Sequence, residues 1–403
     1  MWDGSPGPKV PLQAFHLLSM QAPTLGHYPL PNLRSINWGI CSWDLIPFLR
    51  LFLNPGLVNV QINFPDGNPH LYRPVTVSLI PTGDLTHLRL ESMEEDSSSL
   101  DALHNLLGEA SETLRAVSLD GKLSMSVLEK LLQLPNLSSL DVRLPETRIS
   151  PPEVVFPSLK NLVVGYREAG SWLHILGNIP TPTLQELDVT FSGSSPGYLQ
   201  TLVSSLLDAN IERTLISLRV KCSSENRAPL TEAGVGPLLS FEGLTTLELI
   251  TSCTDNQCGF QLDDSIVSEL AMALPQLTSL VLGDTPCKAS TLGVTVASLV
   301  ALSTNCADLD LLRLHFNTND ITSRNTHANP QTHKFACKLR TLEVGSQPLP
   351  SNPNDILLVT FTILHIFPHV ETILSVGENW KEVRQAVQLF REVPKIISLP
   401  TGN

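Results

Sequence analysis

Charge of either sign is scarce in this chain: 16% of its 403 residues are Asp, Glu, Lys or Arg, and aromatic residues make up only 5%. Disorder needs few apolar residues together with strong net charge; with 42% hydrophobic residues, a folded chain with a large core is expected. Basic residues are the scarcer kind, 26 against 39 acidic, for a net charge of −13. No five of them are adjacent, which argues against a dedicated nucleic-acid or anionic-membrane surface, since phosphate binding relies on clustered Lys and Arg. Long hydrophobic runs are missing too. The most apolar stretch, Ile356 to Phe367, is broken by Thr360, Thr362 and His365 and ends at Pro368. It is too short to span a bilayer and reads as a buried helix. Met1 to Pro11 carries Asp3, Lys9 and prolines where a signal peptide would have an apolar core.

The seven cysteines, Cys41, Cys222, Cys253, Cys258, Cys287, Cys306 and Cys337, are odd in number and scattered. That suits a reducing compartment, cytoplasmic or nuclear, better than a disulfide framework. The sequon Asn136-Leu137-Ser138 carries little weight without a secretory route. Cys253 and Cys258 have a spacing compatible with a zinc pair, but no second pair completes a structural site; Cys222, just past a strand, reads as small-residue packing. Signatures of common catalytic sites are missing as well: no Gly-rich phosphate loop, no His-Glu-x-x-His, no Gly-x-Ser-x-Gly. Asp308 with Asp310, and Asp263 with Asp264, are the only close carboxylates singled out, and the second pair suits a helix start, where negative charge is favourable. His327 and His333 read as surface histidines. No catalysis, cofactor or metal is expected.

What the chain does have is a repeat. An apolar residue, two others, an apolar residue, one other and a third apolar residue recur as Leu33/Ile36/Trp38, Leu57/Val60/Ile62, Leu85/Leu88/Leu90, Leu114/Val117/Leu119, Leu137/Leu140/Val142 and Leu159/Leu162/Val164. The series continues as Leu184/Leu187/Val189, Leu215/Leu218/Val220, Leu244/Leu247/Leu249, Leu277/Leu280/Leu282, Leu309/Leu312/Leu314 and Leu339/Leu342/Val344, with a weaker thirteenth at Val370/Ile373. First positions lie 22 to 33 residues apart and none is skipped. Several are preceded by proline, as in Pro31-Asn32-Leu33, Pro135-Asn136-Leu137, Pro157-Ser158-Leu159 and Pro275-Gln276-Leu277, which ends the preceding helix and sets where the strand starts.

The second and third apolar residues share a parity, so both face inward from a short strand, while the first packs at the bend before it. The interval suffices for a strand, a turn, a helix and a return. One unit cannot bury its own strand and helix; stacked units can. The expected fold is therefore α/β, a leucine-rich-repeat solenoid: a curved horseshoe with a parallel concave sheet and helices on the convex side. At about 4.8 Å per strand, the sheet would extend over roughly 58 Å. Helices are expected at Trp43–Phe52, Leu100–Glu112, Ser126–Leu134, Tyr198–Asn210, Asp263–Leu274 and Trp380–Val393, the last with Asn379 as N-cap and Glu382 at capping-box spacing. Ser92–Ser99 and the polar Asn317–Lys334 read as loops. The chain divides into an N-terminal cap or truncated first coil (1–30, with a remnant helix at Leu12–Met20), an array of twelve to thirteen coils (31–376) and a capping helix with tail (377–403).

The residue between the two inward positions points to the concave solvent face. That column runs Asn37, Gln61, Arg89, Ser118, Asp141, Val163, Asp188, Arg219, Glu248, Val281, Arg313 and Glu343. Its charged members Arg89, Asp141, Asp188, Arg219, Glu248, Arg313 and Glu343 are the expected protein-binding residues, held rigid and extended by the repeats. Successive charges such as Asp188, Arg219 and Glu248 would largely neutralise one another, and no single-sign stripe for a phosphate-rich ligand exists. A monomer with a protein partner, and neither nucleic acid nor membrane, is expected.

Phe241-Glu242-Gly243-Leu244-Thr245-Thr246-Leu247-Glu248-Leu249, followed by Leu262-Asp263-Asp264-Ser265-Ile266-Val267 and Leu270-Ala271-Met272-Ala273-Leu274-Pro275, resembles the cysteine-containing leucine-rich repeat of F-box proteins. Leu230-Thr231-Glu232-Ala233-Gly234-Val235 is similar. With the Pro-x-Leu strand starts, Trp38 and Trp43, the region from about residue 30 to 376 resembles the fungal F-box/leucine-rich-repeat family. The resemblance implies a substrate-recognition array of a ubiquitin-ligase receptor, in which an N-terminal F-box binds a Skp1-type adaptor. Met1 to Pro31 lacks the F-box pattern, so the adaptor is expected only if an F-box is encoded upstream; a stand-alone repeat adaptor is the alternative. A GTPase-activating repeat protein ranks lower, because the asparagine such repeats carry after each strand is replaced here by residues such as Met93 or Ser252.

Overall fold

The computed structural model of the chain describes residues 12–25, 28–39, 43–64, 72–79, 83–93, 97–144, 158–166, 183–191, 197–222, 230–251, 260–283, 293–318, 321, 337–344, 352–375 and 380–397. They form two compact units, the first holding the described residues up to Leu184 and the second those from Gln185 onward. No described helix is long and apolar enough to cross a membrane.

The first unit has six parallel strands in sequence order: β1 (Ser35–Trp38), β2 (Asn59–Asn63), β3 (His87–Met93), β4 (Ala116–Lys122), β5 (Ser139–Arg143) and β6 (Asn161–Tyr166). Between them run helices α2 (Ile46–Leu49), α3 (Tyr72–Leu79), α4 (Ser97–Glu109) and α5 (Met125–Leu132), with α1 (Leu12–Leu25) ahead of the first strand. In α1, Phe15 packs its ring against Trp38, Phe48 and Phe52 at centroid separations of 6.0, 5.8 and 6.4 Å. The expected remnant helix is thus a helix docked on the first repeat.

The second unit has seven parallel strands in its main sheet: β7 (Glu186–Phe191), β8 (Ser217–Cys222), β10 (Thr246–Thr251), β12 (Ser279–Leu282), β13 (Leu311–Leu314), β14 (Thr341–Val344) and β15 (Thr372–Ser375). Its helices are α6 (Tyr198–Asp208), α7 (Glu232–Val235), α8 (Asp264–Ala273), α9 (Val296–Asn305), α10 (Pro353–Ile366) and α11 (Lys381–Ile397). A second, smaller parallel pair joins β9 (Leu230–Thr231) to β11 (Phe260–Gln261), and the bridge Asp263–Gly293 continues it one repeat further.

Strand pairing puts equivalent repeat positions side by side. Ile36, Val60, Leu88, Val117, Leu140 and Leu162 are successive partners in the first unit. Leu187, Leu218, Leu247, Leu280, Leu312, Leu342 and Ile373 are in the second. All are buried, as are the third apolar positions from Ile62 to Val344 and the first positions from Leu57 to Val370. The weak thirteenth pattern is therefore a true strand, closed by Ser375 in place of an apolar third residue.

Register is set where each strand starts. The two residues after a first-position apolar residue both donate their N–H to one carbonyl of the preceding repeat. Val58 and Asn59 use Arg34 O at 2.8 and 3.0 Å, Thr278 and Ser279 use Thr245 O at 2.8 and 3.1 Å, and Glu371 and Thr372 use Arg340 O at 2.7 and 2.9 Å. Hydroxyls reinforce this stack: those of Thr86, Ser138, Thr245 and Thr278 donate to Val58, Arg115, Ile216 and Thr245 carbonyls. Because alignment is imposed here, the rest of each repeat can vary in length without shifting the sheet.

Helix starts are capped as their sequences suggest. Asp263 accepts the N–H groups of Ser265 and Ile266 at 3.0 and 3.1 Å, Thr295 that of Ala297 at 3.2 Å, and Asn352 that of Asn354 at 3.1 Å. Two expectations need correction. The Ser92–Ser99 stretch is not a loop throughout, since β3 reaches Met93 and α4 begins at Ser97. The Ile356–Phe367 helix is not wholly buried: Val359, Ile363 and Ile366 face the core, whereas Leu357, Leu358 and Phe361 (52% exposed) do not. Its 3.6-residue period leaves one apolar flank uncovered, where Phe361 meets Phe390 of α11 at 4.7 Å.

Candidate partner-binding face

In a strand, side chains alternate between faces, so burying the second and third apolar residues turns the residues before, between and after them to the other side. In the first unit the central column is Asn37, Gln61, Arg89, Ser118, Asp141 and Val163, each registered with the next. All are exposed or half-buried. In the second unit the column runs Asp188, Arg219, Glu248, Val281, Arg313 and Glu343 and ends at Leu374. The seven charged residues anticipated for binding thus all lie in central columns. Arg89 and Asp141 belong to the first unit, and Asp188, Arg219, Glu248, Arg313 and Glu343 to the second.

The charges pair among themselves. Arg219 donates through Nε to Glu248 at 3.1 Å, and Arg313 does the same to Glu343. The Arg313–Glu343 pair is the more enclosed, with side-chain exposures of 23% and 12%, against 44% and 20% for Arg219–Glu248. The Ser118 hydroxyl donates to Asp141 at 2.8 Å. Arg89 pairs with Glu91 on its own strand, and Arg143 with Asp120 at 2.8 Å. Alternation of sign along the column therefore produces rungs between neighbouring repeats and, among the described residues of the columns, leaves no single-sign stripe.

Val281 departs from the expected solvent-facing column, being only 4% exposed. Gly283 and His315, at the neighbouring outward positions, are also buried. The accessible face in the second unit is thus interrupted at β12, between the two Arg–Glu rungs.

Other sequence candidates resolve as structural groups. Asp308 and Asp310 pair with Lys338 and Arg340 of the following repeat at 2.6 and 3.6 Å, all four being exposed. Asp263 is the N-cap of α8, but its neighbour Asp264 has a role the sequence did not reveal. Asp264 accepts from Thr295 N at 2.7 Å, Thr295 Oγ1 at 2.6 Å and Ser298 Oγ at 2.5 Å, capping the next repeat's helix α9. Burial pushes its pKa upward, yet the hydrogen bonds from Ser298 and Thr295 outweigh this and hold it below the usual aspartate value. The signal was present as Asp-Asp against Thr295-x-x-Ser298, but only the fold brings the two together.

Cys222, Cys306 and Cys337 are buried. Burial, helped by the neighbouring Cys337 thiol, pushes Cys306 up to about 12, and burial also raises Cys337. Cys306 Sγ donates weakly to the Ala271 and Leu274 carbonyls. A thiol held protonated is a packing group, not a nucleophile. Cys41, Cys253, Cys258, Cys287, His327, His333 and Asn379 lie outside the described residues. Among the described residues no His, Cys, Asp and Glu group is arranged to hold a metal ion.

No family model matches the chain, and the curated proteins contain no match to it.

Proposed function

We propose that the chain is a leucine-rich-repeat solenoid whose outward sheet face holds a protein partner, with no catalytic role of its own. The observation that supports this most is the register. Equivalent outward side chains stand in columns about 4.8 Å apart, backed by a continuous buried layer that prevents their moving independently. Such an array presents a broad, pre-ordered surface and avoids much of the ordering cost of binding. Reversing Arg219 and Arg313 together to Glu places like charges against Glu248 and Glu343. Capture of the partners held by the wild-type chain is expected to fall at least tenfold, with the circular dichroism spectrum unchanged. Undiminished capture by the folded double variant would sink the assignment of this face.

The biological setting we propose is substrate recognition in an F-box-type ubiquitin-ligase receptor. The repeat motifs from Phe241 to Pro275 support it by resemblance. Its test is a pull-down of a Skp1-type adaptor by the chain extended upstream to any encoded F-box. Binding is the expected outcome, and its absence would leave a stand-alone adaptor.

A further inference from the structure

Four side-chain amides cluster at the start of the first unit's sheet face: Asn37 on β1, and Asn59, Gln61 and Asn63 on β2. Asn37 and Asn59 are exposed, Gln61 and Asn63 half-buried, and Asn37 is the register partner of Gln61. None of these four amides is engaged by another side chain or by the backbone among the described residues. Among the described side chains of the same face, Arg89 pairs with Glu91 and Arg143 with Asp120, while Asp141 accepts from Ser118. The densest group of uncommitted side-chain amides on this face is therefore at β1 and β2, with Asn161 on β6 standing apart from it.

Resting on the protein-binding reading, we infer that this cluster grips the main chain of an extended, uncharged polypeptide segment running along β2. A side-chain amide offers both donors and an acceptor, matching the one N–H and one C=O of each peptide group. Asn59, Gln61 and Asn63 alternate along one strand, so they stand about 6.4–6.8 Å apart. That distance is also the two-residue repeat of any extended chain. A segment lying along β2 thus meets an amide at every second peptide group, and Asn37 adds a contact about 4.8 Å to the side. About five residues of the partner would be held.

Other occupants fit less well. A nucleic acid needs clustered cations, and here Arg89 and Arg143 are paired with Glu91 and Asp120. A charged peptide needs a counter-charge that is not already paired. A sugar favours an exposed aromatic ring, whereas Trp38 packs against Phe15 and Phe52 and the His87 ring is bonded to Thr86.

The test is to pan a displayed library of random twelve-residue peptides on the full chain and measure synthetic copies of the selected sequences. Selected peptides are expected to be free of net charge in their common core. Asn59→Ala with Gln61→Ala should weaken their binding at least tenfold, and so should N-methylation of alternate peptide groups, which removes main-chain donors only. Thermal unfolding of the double variant checks that it remains folded. Peptides with a charged core that are lost in the Arg219→Glu, Arg313→Glu variant but not in the double-alanine variant would overturn the inference while leaving the sheet-face reading intact. Binding insensitive to both variants would overturn both, and selection of no peptide above background would overturn the inference alone.

Discussion

Asp264 joins two repeats through one carboxylate, and its consequence can be measured by pH. Its folded pKa is depressed, so its contribution is present above the ordinary aspartate range and is lost as pH falls through the folded value. Asp264→Asn is expected to cost about 1–2 kcal/mol at neutral pH. In denaturant titrations the gap from wild type should hold above about pH 5 and narrow below about pH 4; a pH-independent gap would count against the charge. Gly293 makes a different demand at the same junction. A Cβ there would sit 3.0 Å from Leu262 O and 3.1 Å from Asp263 Cβ, against the backbone bridge itself. Gly293→Ala should destabilise by about 1–3 kcal/mol, read as a lowered urea midpoint. Asn54 is the counterpart in the first unit, donating to Leu30 O and Leu33 O at 3.0 and 3.1 Å and accepting from Gly56 N at 2.8 Å. Asn54→Ala removes the side-chain donor from both carbonyls, of which Leu30 O keeps only the Leu33 N–H at 3.2 Å, and should cost about 1 kcal/mol.

The repeating element is a strand with its preceding bend, and its energetics come from burial. Leu244, Leu247 and Leu249 are wholly buried, and each such side chain contributes about 1.5–3 kcal/mol on transfer from water. Leu247→Ala should cost about 2–5 kcal/mol, because registered neighbours on both sides limit collapse of the cavity. Calorimetry of the variant would check this. The outward side of the same element behaves differently. Exposed pairs such as Lys338–Asp308 contribute little, so Lys338→Ala should move stability by less than about 0.5 kcal/mol. Sequence periodicity located these elements well because each strand buries its own apolar triad. It did less well at the flanks of α10, where burial depends on which neighbour is present to cover Leu357 and Phe361.

Within each unit of the molecule, every strand of the main sheet bonds only to the strands of the adjacent repeats. Stability is then a sum of local terms and neighbour interfaces. Hydrogen exchange in the Leu247→Ala variant should speed up most in β8, β10 and β12 and least in β1 and β2. Uniform acceleration across the chain would contradict a neighbour-coupled array and favour one cooperative core.

The strand positions, the inward triads and the alternating outward columns were all legible in the chain itself, because parity and repeat length are local properties of sequence. Even the thirteenth strand, marked only by Val370 and Ile373, could be read this way. Pairing between repeats was decided only by tertiary structure. Asp264 meets Thr295 and Ser298, Cys306 donates to the Ala271 and Leu274 carbonyls, and Val281 is shut away from solvent in a column expected to be open. The same holds for the amides of β1 and β2. Their identities stand in the sequence, but only registered pairing sets them side by side as a cluster, next to arginines that are already paired with Glu91 and Asp120.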